Sequence, residues 1–257
     1  MSKRAKVPIN CFFQGCYNPE YEREISKCKD KCFKYNQLNP NDRENQRKLL
    51  AEILGKAGKN AIITPPFWCD YGYNIVVGDD FYSNHNLIIT DGAAVTFGDN
   101  VFIAPNCCFT TAEHAIDPEL RKKGVEIAKP INVGNNVWIG AGSTVLAGVT
   151  IGDDSVIGAG SVVTRDIPSG VVAAGVPCRV KRAISEEDKR RYPFYDGKYA
   201  EYDDIKLAKT GAIVVMDVNT GNVLAMASYP SFDPNWFING LTPEQVDYLM
   251  KSDEAAE

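Results

Sequence analysis

Val133, Ile139, Val145, Ile151, Ile157 and Val163 recur every six residues without a break, and Gly134, Gly140, Gly152 and Gly158 directly follow four of them. Upstream, Phe97, Ile103 and Phe109 keep the same interval, with Gly98 and Ala104 behind the first two. An α-helix repeats near 3.6 residues and a simple strand every two, so neither explains the spacing. A parallel β-helix with triangular coils does. Each flat side takes one hexapeptide, the aliphatic residue points inward once per side, and a small residue fits the corner that follows. About three hexapeptides close a coil, and stacked coils bury one continuous aliphatic column that no coil could bury alone. The spacing therefore predicts a mainly β chain whose principal domain, residues 59–200, is a hexapeptide β-helix.

The repeat breaks between Phe109 and Val133, where TAEHAIDPELRKKGVEIAKP interposes a long polar loop. Long loops on rigid scaffolds tend to carry chemistry. Before the repeat, residues 1–58 read as a helical leader. Asn18-Pro19 forms a cap and first position, and Tyr21, Ile25, Cys28, Cys32 and Tyr35 fall at helical intervals. A second helix is expected after Asn41, with Glu44 completing a capping box, Leu49, Leu50, Ile53 and Leu54 as its apolar face, and Gly55 as its end.

The 28 Lys+Arg against 33 Asp+Glu give a net charge of −5, which argues against a chain built mainly to hold nucleic acid. No apolar run approaches the roughly 18 residues of a membrane-spanning helix, and MSKRAKVPIN is not followed by a signal-type core. The expectation is a cytoplasmic protein with no membrane partner. Its eight cysteines then read as thiols rather than a disulfide framework. Cys11, Cys16, Cys28 and Cys32 cluster with spacings open to a structural metal, although Cys28 and Cys32, at helical intervals, are adequately explained as small core residues.

Only two imidazoles exist, His85 and His114, so a zinc site with three histidine ligands lacks its third ligand. His114 stands at the start of the extruded loop and His85 within SNHNLIITD. A histidine is the side chain best placed to exchange protons near neutral pH, but a loop histidine alone is more often a surface residue.

The stretches FWCDYGYNI, YSNHNLIITDG, TAEHAIDPELR, INVGNNVWIGAG, VTIGDDSVIGAGSVVTRDIP and AGVPCRV resemble the maltose and galactoside O-acetyltransferases of the hexapeptide-repeat acyltransferase family, over about residues 18–195. The resemblance implies a left-handed parallel β-helix and a homotrimer with active sites between subunits. It implies acetyl-CoA as co-substrate, no required metal, and direct acetyl transfer to a hydroxyl of a sugar such as maltose, glucose or a galactoside. His114 occupies the family's catalytic position, where a neutral imidazole removes the hydroxyl proton during attack. The Ala141 amide would hold the developing oxyanion, although Ala141 equally suits a coil corner.

By the same resemblance, Asn84 would orient the acceptor hydroxyl, and Asp70 and Asp91 would line the acceptor site. An Asp before Gly, as at Asp91, is also ordinary turn chemistry. Ala159, Thr164 and Arg165 match positions along the CoA groove, and Arg179 and Arg182 match basic positions past the last coil. Trp138 is expected near the pantetheine arm and His114, or as a seal on the coil. Family members usually carry an acceptor-contacting Asp in the leader, where this chain reads QGCYNPE. A non-sugar hydroxyl acceptor, an antibiotic or an amino acid, is therefore the second reading, and a non-catalytic solenoid scaffold the third.

From about Asp203 the texture changes. KTGAIVVMDVNTGNVLAMASYPSFDPNWF resembles the early hairpin of penicillin-binding transpeptidase domains. Such enzymes need S-x-x-K, which residues 201–257 lack, so this segment is expected to be a non-catalytic fragment. Ala212–Asp217 and Val223–Ser228, around Asn219-Thr220-Gly221-Asn222, should pair as a hairpin, which with sticky strands must dock, disorder or aggregate.

Overall fold

The computed structural model describes residues 7–191, with side chains through residue 188, and the backbone of two further strands, Gly211–Met216 and Val223–Tyr229. The chain divides into two compact units, Met1–Ser185 and Glu186–Glu257. The first is a parallel β-solenoid of about six turns. Its three flat faces are three sheets. Face 1 stacks Ile75–Val77, Val95–Phe97, Ile131–Val133 and Thr150–Ile151. Face 2 stacks Ile62–Ile63, Tyr82–Ser83, Phe102–Ile103, Trp138–Ile139, Val156–Ile157 and Val171–Ala174. Face 3 stacks Phe67–Cys69, Leu87–Thr90, Cys108–Thr110, Thr144–Val145 and Val162–Val163.

All nine hexad residues named above are buried, as a column of inward side chains requires. The repeat is not uniform, however. Trp138 pairs with Val156 and Thr144 with Val162, an advance of 18 residues per turn, whereas Ile75 pairs with Val95 and Tyr82 with Phe102, an advance of 20. The two extra residues fall at the corner between faces 3 and 1. There Asp91 and Ala93 both turn inward between Ile89 and Val95, while in the later turn Val145 is followed directly by Val149.

The other corners are kept tight by chemistry suited to each. Between faces 1 and 2, Asn60, Asp80, Asn100, Asn136 and Asp154 hold left-handed backbone, which short polar side chains tolerate. Asn136 donates to Asp154 (2.8 Å) and Asn60 to Asp80 (2.9 Å), one turn to the next. Between faces 2 and 3, Ser143 and Ser161 are buried, and their hydroxyls donate to the Gly140 and Gly158 carbonyls. A Cβ on Gly140 would lie 2.5 Å from the Ala159 amide nitrogen of the next turn, so only glycine lets these coils approach.

The leader closes one end. Helix α1 (Pro19–Asn36) begins as expected, with Asn18 accepting from the Glu20 amide at 3.0 Å. It packs Cys28, Cys32 and Tyr35 against the Phe67–Cys69 strand, and Asn36 bonds both polar groups of the Phe67 backbone (2.8 and 3.0 Å), satisfying the open edge of face 3. Helix α2 (Arg43–Ile53) differs at both ends from expectation. Asp42, not Asn41, accepts from the Asn45 amide (3.2 Å), and the Asn41 N–H donates to Asn39 Oδ1 in the turn before it. Leu54 ends the helix in extended backbone, and Gly55 starts the first coil by donating to Ile75 (3.0 Å). At the far end Arg179–Ala183 covers the last face 2 strand in antiparallel fashion.

The four leader cysteines do not converge. Cys28 and Cys32 meet Cys69 instead, at 3.5 and 3.7 Å, because one turn of α1 faces that strand. Cys11 is exposed and Cys16 lies at the extruded loop. In the second unit Gly211–Met216 pairs antiparallel with Val223–Tyr229, within a residue of the expected strands; the turn Asn219–Asn222 and the expected docking lie outside the described residues.

Candidate active site

The extruded loop leaves the corner between faces 3 and 1 and returns to it. Ala112–His114 goes out, the short helix Pro118–Lys122 turns the chain under an Asp117 cap (2.9 Å to the Leu120 amide), and Val125–Ala128 comes back. Arg121 ties the tip by donating to the Ala115 and Ile116 carbonyls at 2.9 and 2.8 Å. The two arms are antiparallel, with His114 opposite Glu126, and the leader strand Phe12–Gln14 adds to the outer edge with Phe13 opposite Glu126.

This three-stranded patch brings His114, Glu126 and Cys16 together. His114 Nδ1 lies 3.7 Å from Glu126 Oε2, and Cys16 Sγ lies 4.0 Å from each of them. The His114 side chain is 54% exposed and Glu126 only 18%. Burial pushes the Glu126 carboxyl above the usual range; the imidazole pulls it back and Asp70 pushes it up. Nε2 of His114 has no protein partner among the described residues. The arrangement is a half-exposed imidazole whose inner nitrogen faces a carboxylate.

Asp70 belongs to the same corner and is half-buried, with a carboxyl raised by burial. Asp91 does not line an open site, contrary to expectation. It is buried, and its Oδ1 accepts the Asp70 and Tyr71 amides at 3.0 and 2.9 Å, because the widened corner turns residue 91 inward beneath the preceding coil. Burial drives its pKa up to about 6, and Oδ2 has no partner among the described residues. Asp91 is a staple that shapes the backbone presenting Asp70.

The remaining candidates lie at other corners, faces or turns. Asn84, Ala141 and Ala159 all lie at the corner between faces 2 and 3, and Asn84 Oδ1 accepts the His85 amide at 2.8 Å. The Ala141 carbonyl accepts from Gly160 (2.8 Å), while its N–H has no protein partner among the described residues. His85 is exposed at this same corner, with Nδ1 against the Pro65 carbonyl. Thr164 and Arg165 are exposed at the corner between faces 3 and 1. Trp138 points outward from face 2, between Phe102 and Val156 in register, so within one chain it does not share the corner of His114. Arg179 and Arg182 are exposed on the closing strand.

Glu126 and the placement of Cys16 were missed by the sequence reading. Glu126 lies twelve residues beyond His114, and only the antiparallel return of the loop makes them neighbours. The alternation of VEIA, which marks that returning strand, is the signal that could have revealed it.

Residues 130–165 match bacterial transferase hexapeptide repeats, residues 15–58 the maltose acetyltransferase hexapeptide capping motif, and residues 211–254 the penicillin-binding protein transpeptidase domain. A galactoside O-acetyltransferase of Escherichia coli strain K12 is 49% identical over 160 residues, 62% of this chain and 79% of that protein. A solved galactoside acetyltransferase in complex with coenzyme A is 45% identical with a TM-score of 0.68, covering 72% of this chain and 92% of the other. A maltose O-acetyltransferase from Clostridium difficile 630 is 43% identical with a TM-score of 0.64, covering 66% and 90%. Coil cadence, capping leader and loop-borne histidine thus have one source: the chain belongs to the hexapeptide-repeat acetyltransferases, and it is an acyltransferase.

Proposed function

We propose that this enzyme transfers the acetyl group of acetyl-CoA to a hydroxyl of a sugar, with His114 as general base. The observation that carries the reading is the half-exposed imidazole whose Nδ1 faces Glu126 and whose Nε2 is left for a substrate. With the proton on Nδ1, Nε2 accepts the hydroxyl proton as the acceptor oxygen attacks the thioester carbonyl; the carbonyl oxygen gathers charge, the C–S bond breaks, and CoA leaves as the thiol after taking the proton from His114. Glu126 holds the required tautomer and offsets the charge of the transient imidazolium. The sugar class is supported by the galactoside and maltose enzymes that this chain resembles. Acetyl-CoA is supported by the neighbour bound to coenzyme A and by a second neighbour, 36% identical with a TM-score of 0.63, bound to acetyl-CoA.

Oxyanion donor and base stand at different corners of one chain, with face 3 between them. A homotrimer resolves this: the Asn84 and Ala141 corner of one copy is set against the His114 corner of the next. Support comes from the outward side chains. Faces 2 and 3 expose Phe102, Trp138, Trp68 and Ile88, while face 1 presents Thr96, Asn132 and Thr150. In this assembly Asp70 lines the acceptor pocket, Trp138, Ala159, Thr164 and Arg165 border the CoA arm, and Arg179 and Arg182 receive its phosphates. Residues 59–200 form the catalytic domain, residues 1–58 its cap, and residues 201–257 contribute no catalytic group. His114→Ala should lower acetyl transfer by roughly 10²–10⁴ while leaving the trimer mass unchanged in light scattering. Undiminished turnover would remove His114 from the reaction.

A further inference from the structure

Cys16, His114 and Glu126 form a ligand set that the transfer reaction does not use as such. We propose that they bind a divalent zinc-class cation, and that the bound cation silences the enzyme. Tetrahedral zinc, with bonds of about 2.0–2.3 Å, spaces sulfur, nitrogen and oxygen ligands roughly 3.3–3.6 Å apart. Here Sγ–Nδ1 and Sγ–Oε2 are both 4.0 Å and Nδ1–Oε2 is 3.7 Å, so small side-chain rotations close the set.

The backbone already holds the three groups together. His114 and Glu126 are cross-strand partners. Gly15 and Cys16 both donate to the Gly124 carbonyl (3.0 and 3.4 Å), which anchors the thiol beside them. Two glycines make this approach possible: a Cβ on Gly15 would lie 1.6 Å from Glu126 Oε1, and one on Gly124 would lie 2.9 Å from Cys16 Cβ. The charges also match. On binding, the Cys16 thiol releases its proton to solvent, and thiolate plus carboxylate neutralise the divalent ion, with imidazole as the neutral third ligand. The exposed side of His114 leaves a fourth position for water.

The silencing follows from the tautomer and rests on the reading of His114 as base. A cation on Nδ1 leaves the ring's one proton on Nε2, which then cannot accept the hydroxyl proton.

Binding and silencing are tested separately on the full chain. Co²⁺ alone should give a thiolate-to-cobalt charge-transfer band that Zn²⁺ displaces, and Cys16→Ser should lose the band and weaken Zn²⁺ binding by about a hundredfold or more. Absence of the band overturns the site. So does a band undiminished in Cys16→Ser, which would place the ion among Cys28, Cys32 and Cys69. In turnover assays, each normalised to its own metal-free rate, Zn²⁺ should inhibit the native chain at concentrations at least about tenfold below those needed for Cys16→Ser. A Cys16-dependent band without inhibition would keep the cation site and sink the base assignment; no band in the native chain together with an inactive His114→Ala would do the reverse.

Discussion

Two corners of the prism are built on opposite terms. Between faces 2 and 3 the turns keep the same short connection, and in the later coils glycines and buried serines repeat, Gly140 with Ser143 and Gly158 with Ser161. Between faces 3 and 1, the early turns carry two extra residues, and the third opens into the whole loop from Ala112 to Ala128. The first corner offers backbone groups, held rigidly, such as the Ala141 N–H. The second offers side chains: His114, and the carboxyls of Asp70 and Glu126, both raised by burial. A solenoid keeps its register by repetition, so a long excursion that brings distant side chains together is accommodated at the corner where repetition is relaxed.

That contrast can be broken or sharpened by experiment. The largest effect is expected in the regular stack: Ile139→Ala, in the buried column, should cost about 2–5 kcal/mol of stability, read as a lower denaturant midpoint. Loss of a few tenths only would mean that the repeating coils are not the source of rigidity. In the elaborated corner, Asp91 has its folded pKa raised to about 6 from an ordinary 3.8. A carboxyl raised in this way favours the folded state most below its unfolded pKa, and that contribution is lost as pH rises through about 6. Asp91→Asn, which keeps an acceptor for the Asp70 and Tyr71 amides, should therefore flatten the fall in stability between about pH 4 and 6 by an order of 2–3 kcal/mol. A native fall that persists undiminished would show that Asp91 does not set it. The smallest effect is expected outside both corners: ending the chain after Tyr199 should leave acetyl transfer and trimer mass unchanged, and loss of either would give residues 201–257 a part in the enzyme.

The stack was legible because its cause is local and repeated. Six-residue spacing at Val133 through Val163 requires inward aliphatics whatever else the chain does, and each of them is buried. The 20-residue turns were less legible, since Asp91 and Ala93 look like turn residues until the widened corner is seen to fold them inward. Pairing across the loop was hardly legible, with the alternation of VEIA as its one local sign. Glu126 meets His114 through strand register, and Cys16 joins them from a hundred residues upstream, a contact that no local pattern encodes. The helix α2 cap differs from expectation by one residue: Asn41 and Asp42 are adjacent short acceptors, and only the turn led by Asn39 sets Asp42 opposite the Asn45 amide.

The advance of 18 residues per turn in the later coils has a consequence for how such a chain can change length. Duplicating or excising a whole turn returns every aliphatic residue to the interior, whereas adding or removing a single residue would rotate all later side chains out of phase. Only an excursion that leaves and rejoins at one vertex escapes this quantisation. The segment bearing His114 does so, and it is therefore free to lengthen, shorten or be rewritten for a new acceptor while the spindle beneath it stays as it is.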